Sequence, residues 1–354
     1  MITANDSVAD LRIRINGRDL PLSILTDVRS VSIQEDRQNA AMFSLSLHNW
    51  NETRLAYSWS DSPFFGLGVQ VEIWLGYLNA LDKVITGEIT TIAPSFQAGS
   101  LPIVEIRGYD LSHRLRQERK TKAYKLVKIS DIARQIAVDA GLVPRVKDSK
   151  NRHDYVMQRQ QTDMEFLQKQ AAKIGFEVYV RHKELFFEPA LPSQTATRSL
   201  SLEKEIIDFS PSLTVQGQVD KVIVQSWDVK EKKAITAQAA IGDEQKLGAT
   251  TRSGPQQMRR AFGHSQTLTL NLPFVSKAEA DQIALGHLQE SALNFITGSG
   301  SCYGRSWLHA GLLINIKGAG KRFSGIYKVT ATTHTLNGSE GYRTSFQVEG
   351  NASI

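Results

Sequence analysis

Asp110, Ser112 and His113 are the residues of this sequence that come nearest to a catalytic set. They carry the carboxylate, the hydroxyl and the imidazole of a hydrolase triad, in which the imidazole removes the proton of the attacking hydroxyl. Side chains that are adjacent along a chain rarely reach the geometry of that triad. We therefore interpret the three residues as structural and predict no catalytic residue here.

The other motifs with known chemistry are incomplete. Residues 318–323 (GAGKRF) lack the glycine spacing and the hydroxyl of a phosphate-binding loop, and we interpret them as a hairpin turn. Gly298, Gly300 and Gly304 follow a predicted helix, whereas a dinucleotide fingerprint follows a strand. The histidines show no spacing typical of metal ligands; they are residues 48, 113, 153, 182, 264, 287, 309 and 334. We predict a protein that is not an enzyme and has no cofactor or metal.

A run of cations between residues 114 and 128 is the strongest electrostatic feature, and Glu118 is its one acidic residue. The run consists of Arg114, Arg116, Arg119, Lys120, Lys122, Lys125 and Lys128. Such a run is most often a solvated or subunit-facing surface. Its functional interpretation is contact with an acidic partner or a polyanion, such as DNA moving through a channel. One aromatic residue, Tyr124, is too few to indicate base stacking.

Composition limits the possible classes of protein. A length of 354 residues suffices for two or three domains with their own cores. The net charge of +6 is mildly basic, well below the charge of a dedicated nucleic-acid binder. Cys302 is the only cysteine, which excludes an intrachain disulfide and favours folding in a reducing cytosol. The sequence lacks a signal-peptide core and a membrane-spanning window, so we expect a soluble protein without a membrane anchor.

The elements that would position these residues begin with short strands. Apolar and polar residues alternate in runs at 11–15, 28–33, 42–47, 69–75, 84–92 and 103–106. The pair Asn16 and Gly17 suits a tight hairpin turn. Strands at this spacing, almost without helices, predict an antiparallel barrel or sandwich. We assign residues 1–110 to a first β-barrel domain.

A small α+β insert of two helices and a hairpin is predicted at residues 111–199. In its second helix, Thr162 and Glu165 form a capping box, and Gly175 suits the left-handed residue that ends a helix. Alternating residues at 176–187 then predict the hairpin. Residues 191–199 have the composition of a linker.

Residues 200–354 are assigned to a second β-barrel domain with one packed helix. Ser276 and Glu279 form the capping box of that helix. The span 230–260 is polar and contains several glycines, so we predict an extended arm or a long loop. The pattern leaves open whether residues 200–230 complete the first barrel or belong to the second.

Several segments, in this order, resemble one protein family. They are GEITTIAPSF with VEIRGYDLSHRL, the helix ISDIARQIAVDAGL, QTDMEFLQKQAAKIGFEVYV with ELFFEP, and HAGLLINIKGAGKRFSGIYKVTATTHTL with GYRTSF. These segments are similar to the tail-hub family of contractile phages and related injection machines. That family includes the phage late-control D proteins, the N-terminal part of the VgrG spike proteins, and Mu-like tail proteins of this size.

The resemblance implies a structural adaptor. Family members form a trimeric ring in which each subunit carries two tube-like barrels, so three chains present a pseudo-sixfold face. The implied partners are a homotrimer of this chain, the tail tube protein, a trimeric spike protein and other baseplate proteins, with transient contact to DNA in the channel. Since the sequence stops at Ile354 without a needle domain, we expect the spike to be a separate polypeptide. The implied location is the baseplate of a virion tail or a phage-tail-like particle, assembled in the bacterial cytoplasm.

Two other functions stay open on sequence grounds. One is a tail-associated cell-wall hydrolase, since tail tips often carry such an enzyme. The other is a DNA-contacting tail protein that uses the cationic run from Arg114 to Lys128.

Overall fold

The computed structural model describes residues 8–78, 80–191, 198–228, 232–248, 252–263, 266–272, 274 and 276–353. In these residues the chain is mainly β, most strand pairs are antiparallel, and a unit of helices and short strands is inserted between two β regions. The predicted fold class is therefore confirmed. The predicted linker at 191–199 lies mostly outside the described residues.

Seven strands and one short helix form the first β region. They are β1 (Ala9–Ile15), β2 (Arg18–Asp19), α1 (Leu22–Leu25), β3 (Val28–Asp36), β4 (Met42–His48), β5 (Gln70–Tyr77), β6 (Ala80–Ser95) and β7 (Ile103–Asp110). Alternate side chains, among them Ile13, Ile33 and Phe43, are buried in one core, as the sequence pattern predicts. Asn16 and Gly17 both have positive φ in the turn between β1 and β2, which a tight hairpin turn requires.

The insert begins with a 3-10 turn at Leu111–Arg116. Its further elements are β8 (Lys120–Lys128), α2 (Ile129–Asp139), β9 (Val143–Val146), β10 (Arg152–Gln161), α3 (Asp163–Lys173), β11 (Phe176–Arg181) and β12 (Glu184–Pro189). The predicted capping box is present at α3: Thr162 Oγ1 accepts from the Glu165 amide at 3.2 Å, and Glu165 Oε2 accepts from the Thr162 amide at 3.0 Å. The pair of β8 and β10 was not predicted, because most of its side chains are polar and exposed.

The second β region contains the remaining elements. They are β13 (Arg198–Ser201), β14 (Ile206–Leu213), β15 (Lys221–Asp228), β16 (Lys233–Ala240), β17 (Arg252–Ser253), α4 (Gly254–Phe262), β18 (Thr267–Asn271), α5 (Lys277–Leu293), β19 (Ile296–Tyr303), β20 (Leu313–Lys317), α6 (Gly320–Phe323), β21 (Gly325–Asn337), β22 (Gly341–Gly350) and β23 (Ala352–Ser353). The helix α5 begins after Ser276, whose side chain accepts from the Glu279 amide as predicted.

The prediction of a long loop at 230–260 is wrong for the described part of that span. β16 pairs with β15, and α4 begins after Ser253. The side chains that β16 buries below α5 are Ala237 and Ala239, and Ile235, the one large apolar residue of the strand, is only half-buried. The apolar pattern of this strand is therefore weak. Residues 318–323 also contain the short helix α6 rather than a simple turn. The glycines at 298 and 300 do follow a helix, α5, and they lie on the strand β19.

One sheet runs through both β regions. Its main strand order is β14-β19-β22-β21-β3-β4-β7-β6-β5-β1-β2, and β20 with β13 joins at β21. The two regions meet where β21 pairs with β3, from Ala331 opposite Asp36 to Asn337 opposite Ser30. Because this order is open at both ends, the predicted tubes are two parts of one sheet rather than closed barrels. β14 pairs with β19, and β15 pairs with β16 and β18, so neither strand joins the first region.

Candidate functional site

Asp110, Ser112 and His113 do not form a triad. Asp110 Oδ1 accepts from both the backbone amide and the hydroxyl of Ser112, and so caps the 3-10 turn. His113 instead turns to the first β region, where its Nε2 lies 2.7 Å from Glu88 Oε2. Burial raises the pKa of Asp110 to about 6. The hydroxyl and the imidazole therefore bind different carboxylates, which is a structural arrangement.

The arginines of the cationic run bind groups of the chain itself. Arg114 forms an ion pair with Glu88. Arg116 donates to the carbonyl oxygen of Gln38 at 2.6 Å, which connects the insert to the first β region. Arg119 binds both carboxylate oxygens of Glu165, at 2.7 and 3.0 Å. That fork holds the carboxylate that also caps α3.

The lysines of the run divide into two groups. Lys120 lies 2.7 Å from Asp163, and Lys128 lies 3.0 Å from Asp148. Lys122 and Lys125 are exposed and form no ion pair in the described part of the chain; the ammonium of Lys122 lies 5.0 Å from the ring centre of Tyr124. Contact of the run with a polyanion stays a prediction, and the cations left for it are these two.

An ion cluster centred on the buried Lys328 joins the three parts of the chain, and we call it the buried ion cluster. Its other members are Arg37, Glu177 and Glu349, whose side chains are 14%, 21% and 19% exposed. Arg37 follows β3, Glu177 lies on β11, Lys328 on β21 and Glu349 on β22. Glu177 accepts from both Arg37 and Lys328, and the Lys328 ammonium lies 3.5 Å from Glu349. The Arg37 guanidinium also covers the ring of Tyr179, 3.7 Å from its centre. Lys328 is only 3% exposed.

The charges of this ion cluster depend on one another. Burial raises the pKa of Glu177, but Arg37 and Lys328 outweigh that effect and leave its pKa below the ordinary value. The pKa of Glu349 is raised, because burial and the nearby Glu177 exceed the attraction of Lys328. Sequence reasoning missed this cluster, since its members are far apart in the chain and each resembles an ordinary strand charge.

A close contact of two glycines fixes α5 against the insert. Gly175 ends α3 with φ +66°, and Gly286 lies in the middle of α5. A Cβ atom at Gly286 would lie 2.8 Å from the backbone nitrogen of Gly175 and 3.0 Å from its Cα. The capping role of Gly175 was predicted, but its contact with Gly286 was not.

Glu35 is a carboxylate enclosed at the same junction. Its Oε2 accepts from the Ala310 amide and from the Thr332 hydroxyl, each at 3.4 Å. Burial raises its pKa to about 7, and the positive charge of Arg181 opposes this shift only in part. Asp110 adds a further repulsive charge. An ionised Glu35 is therefore costly in the folded protein.

Glu35→Gln is expected to raise the free energy of unfolding at about pH 8 by about 3 kcal/mol and to leave it unchanged near pH 4. The folded-state pKa of about 7 lies above the ordinary 4.5, so the folded protein holds this proton more tightly than the unfolded chain does. Stability from this group is thus present at low pH and is lost as the pH rises from about 4.5 to about 7. Glutamine keeps the hydrogen bonds and does not ionise.

Urea denaturation at the two pH values measures this effect. The control is Glu118→Gln, whose side chain is 77% exposed, and it should change stability little at either pH. An equal effect of Glu35→Gln at both pH values would contradict the assignment.

Among the described residues, no group of three or more His, Cys, Asp or Glu side chains lies close enough together to hold a metal ion. No helix among them is long and apolar enough to cross a membrane. Cys302 is buried in the second β region, and burial raises its thiol pKa to about 12.

Comparison with known families gives one match over nearly the whole sequence. The model of the family described as the Alg8 N-terminal domain matches residues 5–338. No curated protein matches the chain.

Solved structures of tail proteins have the same fold. The 43 kDa tail protein of prophage MuSo2 from Shewanella oneidensis superposes with a TM-score of 0.70 at 14% identity, covering 96% of this chain and 98% of that one. The tail protein of Neisseria meningitidis MC58 gives a TM-score of 0.69 at 13% identity, covering 97% and 96%. An E. coli component of the type VI secretion system, described as similar to the T4 tail proteins gp27 and gp5, gives 0.60 at 15% identity, covering 96% and 76%. The fold is therefore that of phage tail proteins, as the sequence resemblance implies.

Proposed function

We propose, from the premise that this chain belongs to the Alg8 N-terminal domain family and has the fold of phage tail proteins, that it is a structural subunit of a tail baseplate. The full proposal is a hub: a homotrimeric ring that connects the sixfold tail tube to a threefold spike, next to other baseplate proteins. The observation that carries it is the match with a prophage tail protein over 96% of this chain and 98% of that one.

The internal construction of the chain supports this role. A hub transmits load between partners of different symmetry, so its own parts have to keep a fixed arrangement. The β21–β3 pairing continues one sheet across both β regions. The buried ion cluster and the Gly175–Gly286 contact then hold the insert against that sheet. Such features suit a rigid building block.

We retain the three-part division at 1–110, 111–199 and 200–354 within this proposal. The pairing of β14 and β15 with strands of the second region supports the assignment of residues 200–230 to the third part. The transient contact with DNA would fall to Lys122 and Lys125, because the other cations of the run bind groups of the chain itself.

The protein would act without catalysis, as part of a virion tail or a phage-tail-like particle that assembles in the bacterial cytoplasm. The engagement of Ser112 and His113 by different carboxylates supports a non-enzymatic role. The competing function is a cell-wall hydrolase, and clear lysis in a peptidoglycan zymogram would favour it.

The purified protein is expected to form a particle of three chains, alone or on addition of tail tube and spike proteins from the same genome. Light scattering after size exclusion, over a range of concentrations, measures the number of chains, and negative-stain electron microscopy shows whether they form a ring. The control is the tube protein measured alone. A chain that stays monomeric and binds neither the tube protein nor the spike protein would contradict the hub proposal.

A further inference from the structure

A cleft of about 400 Å³ opens where the three parts of the chain meet. Lys83 lines it from β6 in the first β region. Arg181 and His182 line it from the end of β11 and the turn before β12. Arg198 and Trp307 complete the wall from the second region, with the Arg198 guanidinium 4.9 Å from the centre of the Trp307 ring.

Cations outnumber carboxylates in this lining. Its one carboxylate, Asp82, accepts from the Ser306 hydroxyl at 2.7 Å. Lys83 forms an ion pair with Glu72 at 3.0 Å. Arg181 and Arg198 form no ion pair with a carboxylate in the parts of the chain that the structure describes, and the charge of Arg181 also acts on the nearby Glu35. The cleft therefore has an excess of positive charge.

Two buried nitrogens of the cleft residues lack a partner. Arg181 Nε and His182 Nδ1 make no hydrogen bond with described residues. The Arg181 guanidinium lies 2.7 Å from His309 Nε2, and His309 Nδ1 lies 2.9 Å from the Ala310 carbonyl oxygen. His309 is thus a neutral imidazole that donates from Nδ1 and accepts from Arg181 at Nε2. A buried donor without a partner is costly, so Arg181 has hydrogen-bonding capacity that no described residue satisfies.

The titration of the imidazoles reflects the same positive field. Burial, together with the charges of Arg181 and Lys83, lowers the pKa of His182 to about 4. Burial and Arg181 lower the pKa of His309 to about 3. Both rings are uncharged at neutral pH, so the charge of the cleft comes from its arginines and its lysine.

We infer that this cleft binds a phosphate group, held by Arg181, Arg198 and Lys83. A guanidinium presents its donors in a planar fork that matches an oxyanion, and Trp307 keeps one such fork in place. The volume accommodates inorganic phosphate and also a phosphate that is part of a nucleotide, so these are the two possible sources of the phosphate group. A phosphate bound here contacts all three parts of the chain and stabilises their arrangement. The inference does not depend on the proposed hub role.

Titration of inorganic phosphate and of adenosine monophosphate into the full-length protein tests this site. Thermal unfolding and the NMR signals of the His182 ring are followed, with sodium chloride at equal ionic strength and adenosine as controls. We expect a saturable rise in melting temperature and a shift of the His182 signals with phosphate. If adenosine monophosphate binds more tightly than inorganic phosphate, the ligand is a nucleotide. If the two bind with equal affinity, the ligand is inorganic phosphate.

Substitutions in the cleft test whether phosphate binds there. Arg198→Gln should weaken phosphate binding about tenfold or more, and Lys83→Gln provides a second variant in case the first fails to fold. The matched control is Arg54→Gln, which removes one exposed arginine outside the cleft and should leave the affinity unchanged. The inference fails if neither probe gives a saturable response beyond the salt control, or if Arg54→Gln weakens binding as much as Arg198→Gln does.

Discussion

Lys328→Met is expected to lower the free energy of unfolding by about 3 kcal/mol, because it leaves two largely buried carboxylates with too few cations. Glu177 loses one of its two cationic partners, and Glu349 loses the ammonium 3.5 Å away. Methionine keeps most of the volume of the lysine stem, so the effect comes from charge rather than from a cavity. Urea denaturation followed by circular dichroism measures the loss.

Two further variants test whether charge is the cause. Adding Glu349→Gln to Lys328→Met removes one of the unpaired carboxylates and should recover part of the loss. The matched surface control is Arg134→Met, which breaks an ion pair with Asp131 whose side chains are 45% and 50% exposed. That control should cost at most about 0.5 kcal/mol. Similar losses for Lys328→Met and Arg134→Met would show that the cluster adds no more than a surface pair.

The position of the ion cluster indicates which part of the protein should open more often when the cluster is disrupted. Amide hydrogen exchange in the β21–β3 pairing should become faster in Lys328→Met, because Lys328 lies on β21 and Arg37 follows β3. If amide exchange in this pairing is unchanged while the free energy of unfolding falls by the expected amount, the cluster stabilises the insert alone.

Gly286→Val is expected to lower the free energy of unfolding by about 3 kcal/mol, near the upper end for overpacking. The new Cβ would meet the backbone of Gly175 at 2.8 Å, and a backbone cannot rotate away as a flexible side chain does. The helix α5 would have to move from the insert and give up its contact with α3. Thermal or urea unfolding of the full-length protein measures the change.

Gly286→Ala separates this contact from helix propensity. In an exposed helix, alanine in place of glycine stabilises by about 1 kcal/mol. At position 286 the contact with Gly175 should reverse that sign. The control is Gly338→Ala, where a Cβ meets no atom within 4 Å, and its effect should stay within about 0.5 kcal/mol. A stabilising Gly286→Ala would refute the close-contact argument.

The sequence by itself determined the local features, because these depend on neighbours within a few residues. The turn at Asn16 and Gly17 and the capping box of Thr162 with Glu165 follow from backbone conformations and hydrogen bonds that close over two to four residues. Alternating strands with large apolar residues were equally visible. β16 was missed because its buried side chains are alanines.

The tertiary structure alone decided what lies at the junction. Arg37, Glu177 and Lys328 each resemble an ordinary charge in or beside a strand, and only the pairing of β21 with β3 and the packing of the insert bring them together. The raised pKa of Glu35 and the positive cleft have the same origin, since both follow from burial that packing creates. Burial of a charge is a property of distant partners, and no local spacing encodes it. The Asp110, Ser112 and His113 set that looked most chemical in the sequence is, for the same reason, structural in the folded protein.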